Sequence, residues 1–191
     1  HVRTCDACHR KDIDGKAAYS AAMAKDMVLS GDLVTPKLNG APFYDKPVLF
    51  NWCVAGSLAV LGFSEFAARL PSALAFVAVC LLVGALARRA HGPAAATPAV
   101  LLTATTFGWV RYARLAMMDA PMALGLALAA YGTWRAAEDD EPPWLLAAGV
   151  GAAADFLLKG PVGAVLVLLL SGGYLLARAP RLLASRWTAL A

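Results

Sequence analysis

Five runs without a charged residue fill the last two-thirds of the chain, and charged residues lie at their ends. The runs cover residues 70–87, 92–110, 120–134, 142–154 and 160–177. A helix needs about 20 apolar residues to cross a bilayer, within a range of about 17–25. The first, second and fifth runs reach that length, and the other two must recruit flanking residues. The pattern predicts an all-α fold, a polytopic bundle with about five transmembrane spans in residues 70–191.

Composition agrees with a membrane protein. The chain is 60% hydrophobic and 16% charged, with a mean hydropathy of +0.60. A soluble domain averages roughly 45–50% apolar and about 25% charged residues, so too few polar residues remain to cover a soluble core. The net charge of +4 does not indicate nucleic acid, because the basic residues are spread over the run ends. Anionic membrane lipids are the expected partners of these residues.

Each membrane crossing reverses the direction of the chain, so the charged residues at the ends of the runs lie on two opposite faces of the membrane. One face collects Arg69, Arg111, Arg114, Asp119 and Lys159. The other collects Arg88, Arg89, Arg135, Arg178, Arg181 and Arg186, with the acidic segment 138–141 expected as a solvated cytoplasmic loop. Charge in or near a span is costly and indicates function. The first face is therefore the candidate site for an anionic, lipid-borne substrate.

The N-terminal 46 residues differ in composition from the rest of the chain, since they carry seven of the 17 Lys and Arg residues. Tyr19, Met23 and Met27 repeat at helical spacing and predict a short amphipathic helix that ends near Gly31. We expect this helix to lie on the membrane surface. A helix packed on other parts of the protein is the alternative. Turn residues follow at Pro36, Asn39, Gly40 and Pro42.

Cys5, Cys8 and His9 form a C-x-x-C-H string. This is the spacing of c-type haem attachment, in which two thiols bind the porphyrin and His ligates iron. No second haem-binding pattern supports it, so haem is not the favoured interpretation. A zinc or disulfide role is also left open, and the favoured interpretation is an incidental segment.

Five short motifs together resemble one enzyme family. They are SGDLVTPKLNG at 30–40, FYDKP at 43–47, EFAARLPSA at 65–73, YARLAMMDAP at 112–121 and LKGPVG at 158–163. Each motif alone is weak, but five in this order resemble glycosyltransferase family 39 over roughly residues 14–178. That family includes protein O-mannosyltransferases and the bacterial aminoarabinose transferases that modify lipid A. The resemblance implies the N-terminal part of a GT-C-like helical membrane fold.

The resemblance also implies a topology. Residues 1–69 would form an extracytoplasmic loop with interfacial helices at 19–30 and 47–64, after a span upstream of His1, with a further portion beyond Ala191. The distribution of Lys and Arg alone instead favours residues 47–64 as a sixth span. We follow the resemblance, which places the site on the periplasmic or external face of a bacterial inner membrane.

The implied reaction moves a sugar from a polyprenyl-phosphate donor to a lipid or protein acceptor, with inversion at the anomeric carbon. A carboxylate must orient or deprotonate the acceptor, and cations must stabilise the leaving phosphate. The resemblance assigns the carboxylate role to Asp14 and Asp119. Gly15 stands where the family has a second acid, so Asp12 is a substitute. The alternative for both matched acids is a favourable interaction with a helix dipole.

The resemblance assigns phosphate or substrate binding to Lys46, Arg114 and Lys159. Asp45 is the candidate metal ligand, and a divalent metal cofactor is left open. Snorkelling to the interface is the alternative for the cations, and it is the favoured role of Arg69 and Arg111. Asp155 lies four residues before Lys159, so we expect the two to form an ion pair on one helix face.

Two functions of other classes are the alternatives. A transporter could use the same charges for an anionic solute, but internal repeats would favour it and we find none. A membrane redox subunit could use a haem held by Cys5, Cys8 and His9.

Overall fold

The computed structural model describes residues 14–38, 40–44 and 47–184. Within these ranges the chain is almost entirely helical, with one small hairpin of strands β1 and β2. The helices and strands in chain order are α1 Asp14–Ser30, β1 Lys37–Leu38, β2 Ala41–Pro42, α2 Leu49–Leu61, α3 Glu65–His91, α4 Ala96–Thr105, α5 Phe107–Ala113, α6 Asp119–Glu138, α7 Leu145–Lys159 and α8 Pro161–Arg178. Short 3₁₀ turns occupy Pro93–Ala95, Pro142–Trp144 and Pro180–Ala184. The predicted all-α fold is confirmed.

Helix α6 is the centre of the bundle and packs against α3, α7 and α8. Its contact with α7 is close because small residues face each other. A Cβ added at Gly132 would meet Ala147 Cβ at 2.8 Å, and one added at Gly151 would meet the backbone of Gly125. The buried Thr133 hydroxyl donates a 2.9 Å hydrogen bond to Ser171, which joins α6 to α8. These two buried hydroxyl groups are thus paired with each other between the helices.

Four of the five uncharged runs each correspond to one α-helix, whose ends differ from those of the run by a few residues. Helices α3 and α8 are long and apolar enough to cross a membrane. Helix α6 recruits residues beyond Trp134 and α7 recruits residues beyond Ala154, as predicted from their short runs. The number of spans stays a prediction, because length and composition alone do not establish it.

The run at 92–110 is not one continuous helix, contrary to the sequence-based expectation. It is divided at Thr106, whose extended backbone (ψ 115°) separates α4 from α5. The hydroxyls of Thr103, Thr105 and Thr106 each donate to the carbonyl four residues earlier, at 2.6–2.8 Å. Such bonds compete with the helical ladder and bend helices.

The N-terminal helices form a layer on one end of the bundle. Met23 and Met27 of α1 are buried, and the Gly31 amide donates to the Met27 carbonyl at 3.0 Å, so the predicted helix and its end near Gly31 are confirmed. Helix α1 packs on α2, and both contribute to a cluster that includes Leu158 at the end of α7. At 13 residues, α2 is shorter than the roughly 20 needed for a span. This length agrees with an interfacial helix.

The loop after α1 is fixed to this layer. Asp32 accepts a 3.0 Å hydrogen bond from the Thr35 amide and pairs with Lys37 at 3.1 Å. The amide and then the ammonium group lower the pKa of Asp32 below its usual value. The Trp52 indole donates to the Leu33 carbonyl at 2.6 Å, which connects the loop to α2.

The acidic segment 138–141 is solvent-exposed at Glu138, Asp139 and Asp140, as expected, but its acids also form ion pairs. Each acid pairs with an arginine from a helix end, in the pairs Arg178–Glu138, Arg89–Asp139, Arg181–Asp140 and Arg135–Glu141. The Arg178 guanidinium and then the Tyr174 hydroxyl lower the pKa of Glu138. These pairs hold α3, α6 and α8 together at this end.

Asp155 is fully buried in α7, and neither carboxyl oxygen has a hydrogen-bond partner in the described part of the chain. It fits because two glycines clear space for it. A Cβ added at Gly125 would fall on the Asp155 carboxyl, and one at Gly163 would lie 2.7 Å from the Asp155 Cβ. The close approach of α6, α7 and α8 therefore depends on these glycines.

We predict that Gly125→Ala destabilises the protein by about 1–3 kcal/mol, as overpacking of a tight core does. This loss of stability should largely disappear in an Asp155→Ala background, because the carboxyl group that the new Cβ would collide with is absent. Gly173→Ala is the matched control, since a Cβ there meets nothing within 4 Å. Thermal unfolding of the detergent-solubilised full-length protein gives this double-mutant cycle. Equal costs in both backgrounds would contradict the prediction.

Candidate active site

The candidate site is centred on an ion pair between two helix ends. Asp119 begins α6 and Lys159 ends α7, and Lys159 Nζ lies 2.9 Å from Asp119 Oδ1. Their neighbours Met118 and Leu158 are 8% and 3% exposed in the same hydrophobic cluster. The cluster therefore fixes both backbones, while the charged side chains stay about one-third exposed, at 30% and 34%.

The predicted ion pair between Asp155 and Lys159 is wrong. Lys159 extends from the end of α7 to Asp119, whereas Asp155 points into the packing between α6, α7 and α8. A carboxylate at a helix N-terminus and an ammonium at a helix C-terminus are each favoured by the dipole. The observed pair satisfies both preferences at once, and the predicted pair would satisfy only one.

A cavity of about 330 Å³ lies at the ends of α3 and α5, and we call it the arginine pocket. It is lined by Arg69, Phe107, Val110, Arg111, Arg114 and Leu115. Arg69 pairs with Glu65 at 3.1 Å. The pocket thus combines three guanidinium groups with an apolar wall.

The segment between α5 and α6 connects the arginine pocket to the ion pair. It begins at Arg114 and ends at Met118, directly before Asp119. The Ser72 hydroxyl of α3 donates to the Met117 carbonyl at 2.8 Å, and Ala116 is buried in the cluster. This anchoring holds the segment against the start of α3.

The structure brings together three residues predicted from sequence. Asp119 and Lys159 form the ion pair, and Arg114 lines the neighbouring pocket. Asp14 is the first residue of α1. Several predicted residues lie outside the described part of the chain: Cys5, Cys8, His9, Asp12, Asp45 and Lys46. Among the described residues, no three His, Cys, Asp or Glu side chains form a group that could hold a metal ion. The metal role of Asp45 stays a prediction.

Arg69 and Arg111 were expected on the same face as Arg114, but as interfacial anchors and not as site residues. The structure puts both around one cavity with Arg114. Arg111 and Arg114 are three residues apart at the end of α5, which is a spacing that puts side chains on one helix face. That signal is visible in the sequence, but the contribution of Arg69 depends on the packing of α5 on α3.

The arrangement can perform two chemical tasks. A carboxylate held by an ammonium group can orient a hydroxyl or accept its proton. Guanidinium groups beside it can stabilise negative charge that develops on a phosphate.

The fold matches that of a solved protein. The chain superposes on ArnT from Cupriavidus metallidurans in the apo state with a TM-score of 0.82 and 23% identity, over 91% of this chain and 34% of that one. The structure of the same protein bound to undecaprenyl phosphate gives a TM-score of 0.76 and 23% identity, over 90% and 33%. The chain therefore has the fold of a polytopic helical membrane protein, as predicted.

Alignments with curated relatives cover most of the chain. An uncharacterized protein of Aquifex aeolicus is 30% identical over 86% of this chain and 33% of its own length. An undecaprenyl phosphate-alpha-4-amino-4-deoxy-L-arabinose arabinosyl transferase of Pseudomonas fluorescens is 28% identical over 81% of this chain and 28% of its own. The chain thus spans about a third of the length of these relatives.

A family model agrees with these likenesses. The model described as dolichyl-phosphate-mannose-protein mannosyltransferase matches residues 45–191, which is most of the chain. On that match, the chain belongs to the dolichyl-phosphate-mannose-protein mannosyltransferase family.

Proposed function

We propose that this chain contributes to the active site of a membrane glycosyltransferase, which moves a sugar from a polyprenyl-phosphate donor to a lipid or protein acceptor. The observation that carries the proposal is the Asp119–Lys159 pair beside the arginine pocket. Relatives named as undecaprenyl phosphate-aminoarabinose arabinosyl transferases support it. So does the likeness to a protein solved with undecaprenyl phosphate.

In this proposal Asp119 acts on the acceptor. Lys159 holds Oδ1, so Oδ2 is free to accept the proton of an acceptor hydroxyl or to orient its oxygen. That oxygen forms a bond to the anomeric carbon from the face opposite the phosphate. The bond from the anomeric carbon to the phosphate oxygen breaks, and its electron pair leaves with the polyprenyl phosphate. Attack from the opposite face inverts the anomeric configuration.

The cations act on the leaving group. Negative charge grows on the phosphate as the glycosidic bond breaks, and guanidinium or ammonium groups fixed nearby stabilise it without reorganising. Arg114 and Lys159 are the residues proposed for this role, and the resemblance adds Lys46. Asp14 and Asp12 remain candidates for a second acceptor-side carboxylate.

The site is proposed to face the periplasm or exterior of a bacterial inner membrane. The α1–α2 layer lies at the end of the bundle that carries Lys159, and the resemblance makes that layer extracytoplasmic. The transporter and haem interpretations gain no support from the relatives reported above.

Asp119→Asn should reduce sugar transfer severely while leaving the protein in the membrane at normal abundance. Asparagine keeps the size and can still cap a helix, but it neither accepts a proton usefully nor balances Lys159. Asp140→Asn is the matched control, since Asp140 also pairs with a cation at 2.9 Å, at the other end of the bundle. Transfer is measured in membranes and normalised to protein level. Activity of Asp119→Asn within about twofold of wild type, roughly 0.4 kcal/mol, would contradict a catalytic role and leave Asp119 as a helix N-terminal acid paired with Lys159.

Lys46→Ala should weaken use of the polyprenyl-phosphate donor without unfolding the full-length protein. A charge-assisted hydrogen bond contributes roughly 1.5–3 kcal/mol, which is about tenfold to a hundredfold in kcat/KM for the donor. Initial rates over a range of donor concentrations measure this. Unchanged kinetics would remove Lys46 from the site.

Cysteine labelling should place the two ends of the bundle on opposite sides of the membrane. Val34 is 76% exposed in the loop after α1, and Ala94 is exposed in the turn after α3. In a full-length protein without its native cysteines, a membrane-impermeant thiol reagent should label Val34→Cys in intact cells. Ala94→Cys should react only after permeabilisation. The reverse pattern would exclude the proposed orientation.

A further inference from the structure

At the end of the bundle that carries the candidate site, two backbone carbonyls lack a helical hydrogen-bond donor because of a proline. In an α-helix each carbonyl accepts from the amide four residues later, and proline has no N–H. Pro71 lies inside α3 and therefore leaves the Ala67 carbonyl without this donor. Pro121 lies in the first turn of α6, so α6 cannot extend back by a hydrogen bond to the Met117 carbonyl.

A serine from a neighbouring helix supplies each missing donor. Ser57 of α2 donates to the Ala67 carbonyl at 2.6 Å, and Ser72 of α3 donates to the Met117 carbonyl at 2.8 Å. Backbone carbonyls are strong acceptors, and leaving one unpaired away from water costs free energy. The two bonds have the same chemistry but hold different elements. The first fixes α2 to the start of α3, and the second fixes α3 to the segment before α6.

The second bond lies next to the candidate catalytic carboxylate. Met117 is two residues before Asp119, so a shift of its backbone also moves the start of α6. Among the described residues, the other hydrogen bonds of segment 114–118 are local, such as the one from the Met117 amide to the Leu115 carbonyl at 2.8 Å. Ser72 therefore supplies the hydrogen bond that joins this segment to α3.

Ser72 can affect a substrate only through other residues, because its exposed fraction is 0%. Asp119 and Lys159, in contrast, stay about one-third exposed. The 2.9 Å distance between Asp119 Oδ1 and Lys159 Nζ depends on where α6 begins, and the Met117 anchor fixes that point. A displacement of about 1 Å at a catalytic group can lower a rate about a hundredfold.

We infer that Ser72 is a positioning residue, which holds Asp119 beside Lys159 through its hydrogen bond to the Met117 carbonyl. The inference rests on the proposed function, in which Asp119 acts on the acceptor. Alanine at position 72 leaves the Met117 carbonyl without its donor, so the start of α6 moves until that carbonyl reaches water or another N–H. Asp119 then spends less time in contact with Lys159.

Carbodiimide cross-linking measures this contact without requiring turnover. A water-soluble carbodiimide activates a carboxylate, a lysine amine in direct contact attacks it to form an amide, and the reagent leaves as its urea. In the full-length protein, peptide mass spectrometry quantifies the amide between Asp119 and Lys159. The internal reference is the amide between Asp32 and Lys37, a pair at 3.1 Å whose side chains are also about one-third exposed.

Ser72→Ala should lower the yield of the Asp119–Lys159 amide several-fold relative to the reference amide. It should also lower kcat for sugar transfer about tenfold or more, while the KM for the donor stays within about twofold because the acceptor-side group is displaced. Ser72→Cys keeps the size with a weaker donor, so it should change both quantities in the same direction by less. It also provides the measurement if the alanine variant does not accumulate.

Ser57→Ala is the matched control, since it removes a serine-to-carbonyl bond of the same kind. It should lower the thermal stability about as much as Ser72→Ala does, but leave the cross-link yield and kcat unchanged. Equal losses of yield and kcat in both alanine variants would overturn the inference, because general destabilisation would then explain them.

The remaining outcomes separate this inference from the proposed function. An unchanged cross-link yield in Ser72→Ala would overturn the inference. So would a lower yield with an unchanged kcat, if Asp119→Asn is inactive. A lower yield in Ser72→Ala together with full activity of Asp119→Asn would refute the catalytic role of Asp119 and leave Ser72 as the residue that positions it.

Discussion

The close packing of α6 against α7 is the constraint on which the rest of the structure depends. The two helices run antiparallel, and the glycine contacts at Gly132 and Gly151 let their backbones approach where any larger side chain would collide. This contact sets the register of the helices along their whole length. The register in turn places Asp119 beside Lys159 at one end of the two helices. A shift by one helical turn would separate this pair.

Charged residues have different roles at the two ends of the bundle. At the end with segment 138–141, ion pairs link the ends of α3, α6 and α8, so charge there stabilises the bundle. At the other end the Asp119–Lys159 pair is only two-thirds buried, and within the described ranges Arg111 and Arg114 of the arginine pocket have no acidic partner. Uncompensated charge beside an apolar surface is unfavourable for stability and is typical of a binding site. The site therefore lies where the bundle is least neutral.

Much of this arrangement could be predicted from the sequence. The positions of most helices could be predicted from the uncharged runs, which are a local pattern. Because successive helices run in opposite directions, the runs also predicted Asp119 and Lys159 at the same end of the bundle. The break at Thr106 was not predicted, although the threonine hydroxyls that compete with the helical hydrogen bonds there are local in sequence. The partner of Lys159 and the cavity that Arg69 lines could not be predicted, because both depend on how helices pack, and the ion pair of Lys159 with Asp119 joins residues 40 positions apart. Spacing along one helix favoured Asp155 instead, but the glycines at 125 and 163 make a buried space for that side chain.

The positive charge of the side chains at the site also affects whether the site stabilises the bound donor or the transition state more strongly. Among the described side chains at this end, four cations, Arg69, Arg111, Arg114 and Lys159, have two carboxylate partners, Glu65 and Asp119, so two of these cations have none. A sugar linked to polyprenyl phosphate is a phosphodiester with one negative charge, and the leaving polyprenyl phosphate approaches two. Under the proposed function, these two cations are more complementary to the charge that develops as the bond breaks than to the bound donor. Catalysis requires this difference, because only interactions that strengthen in the transition state lower the barrier.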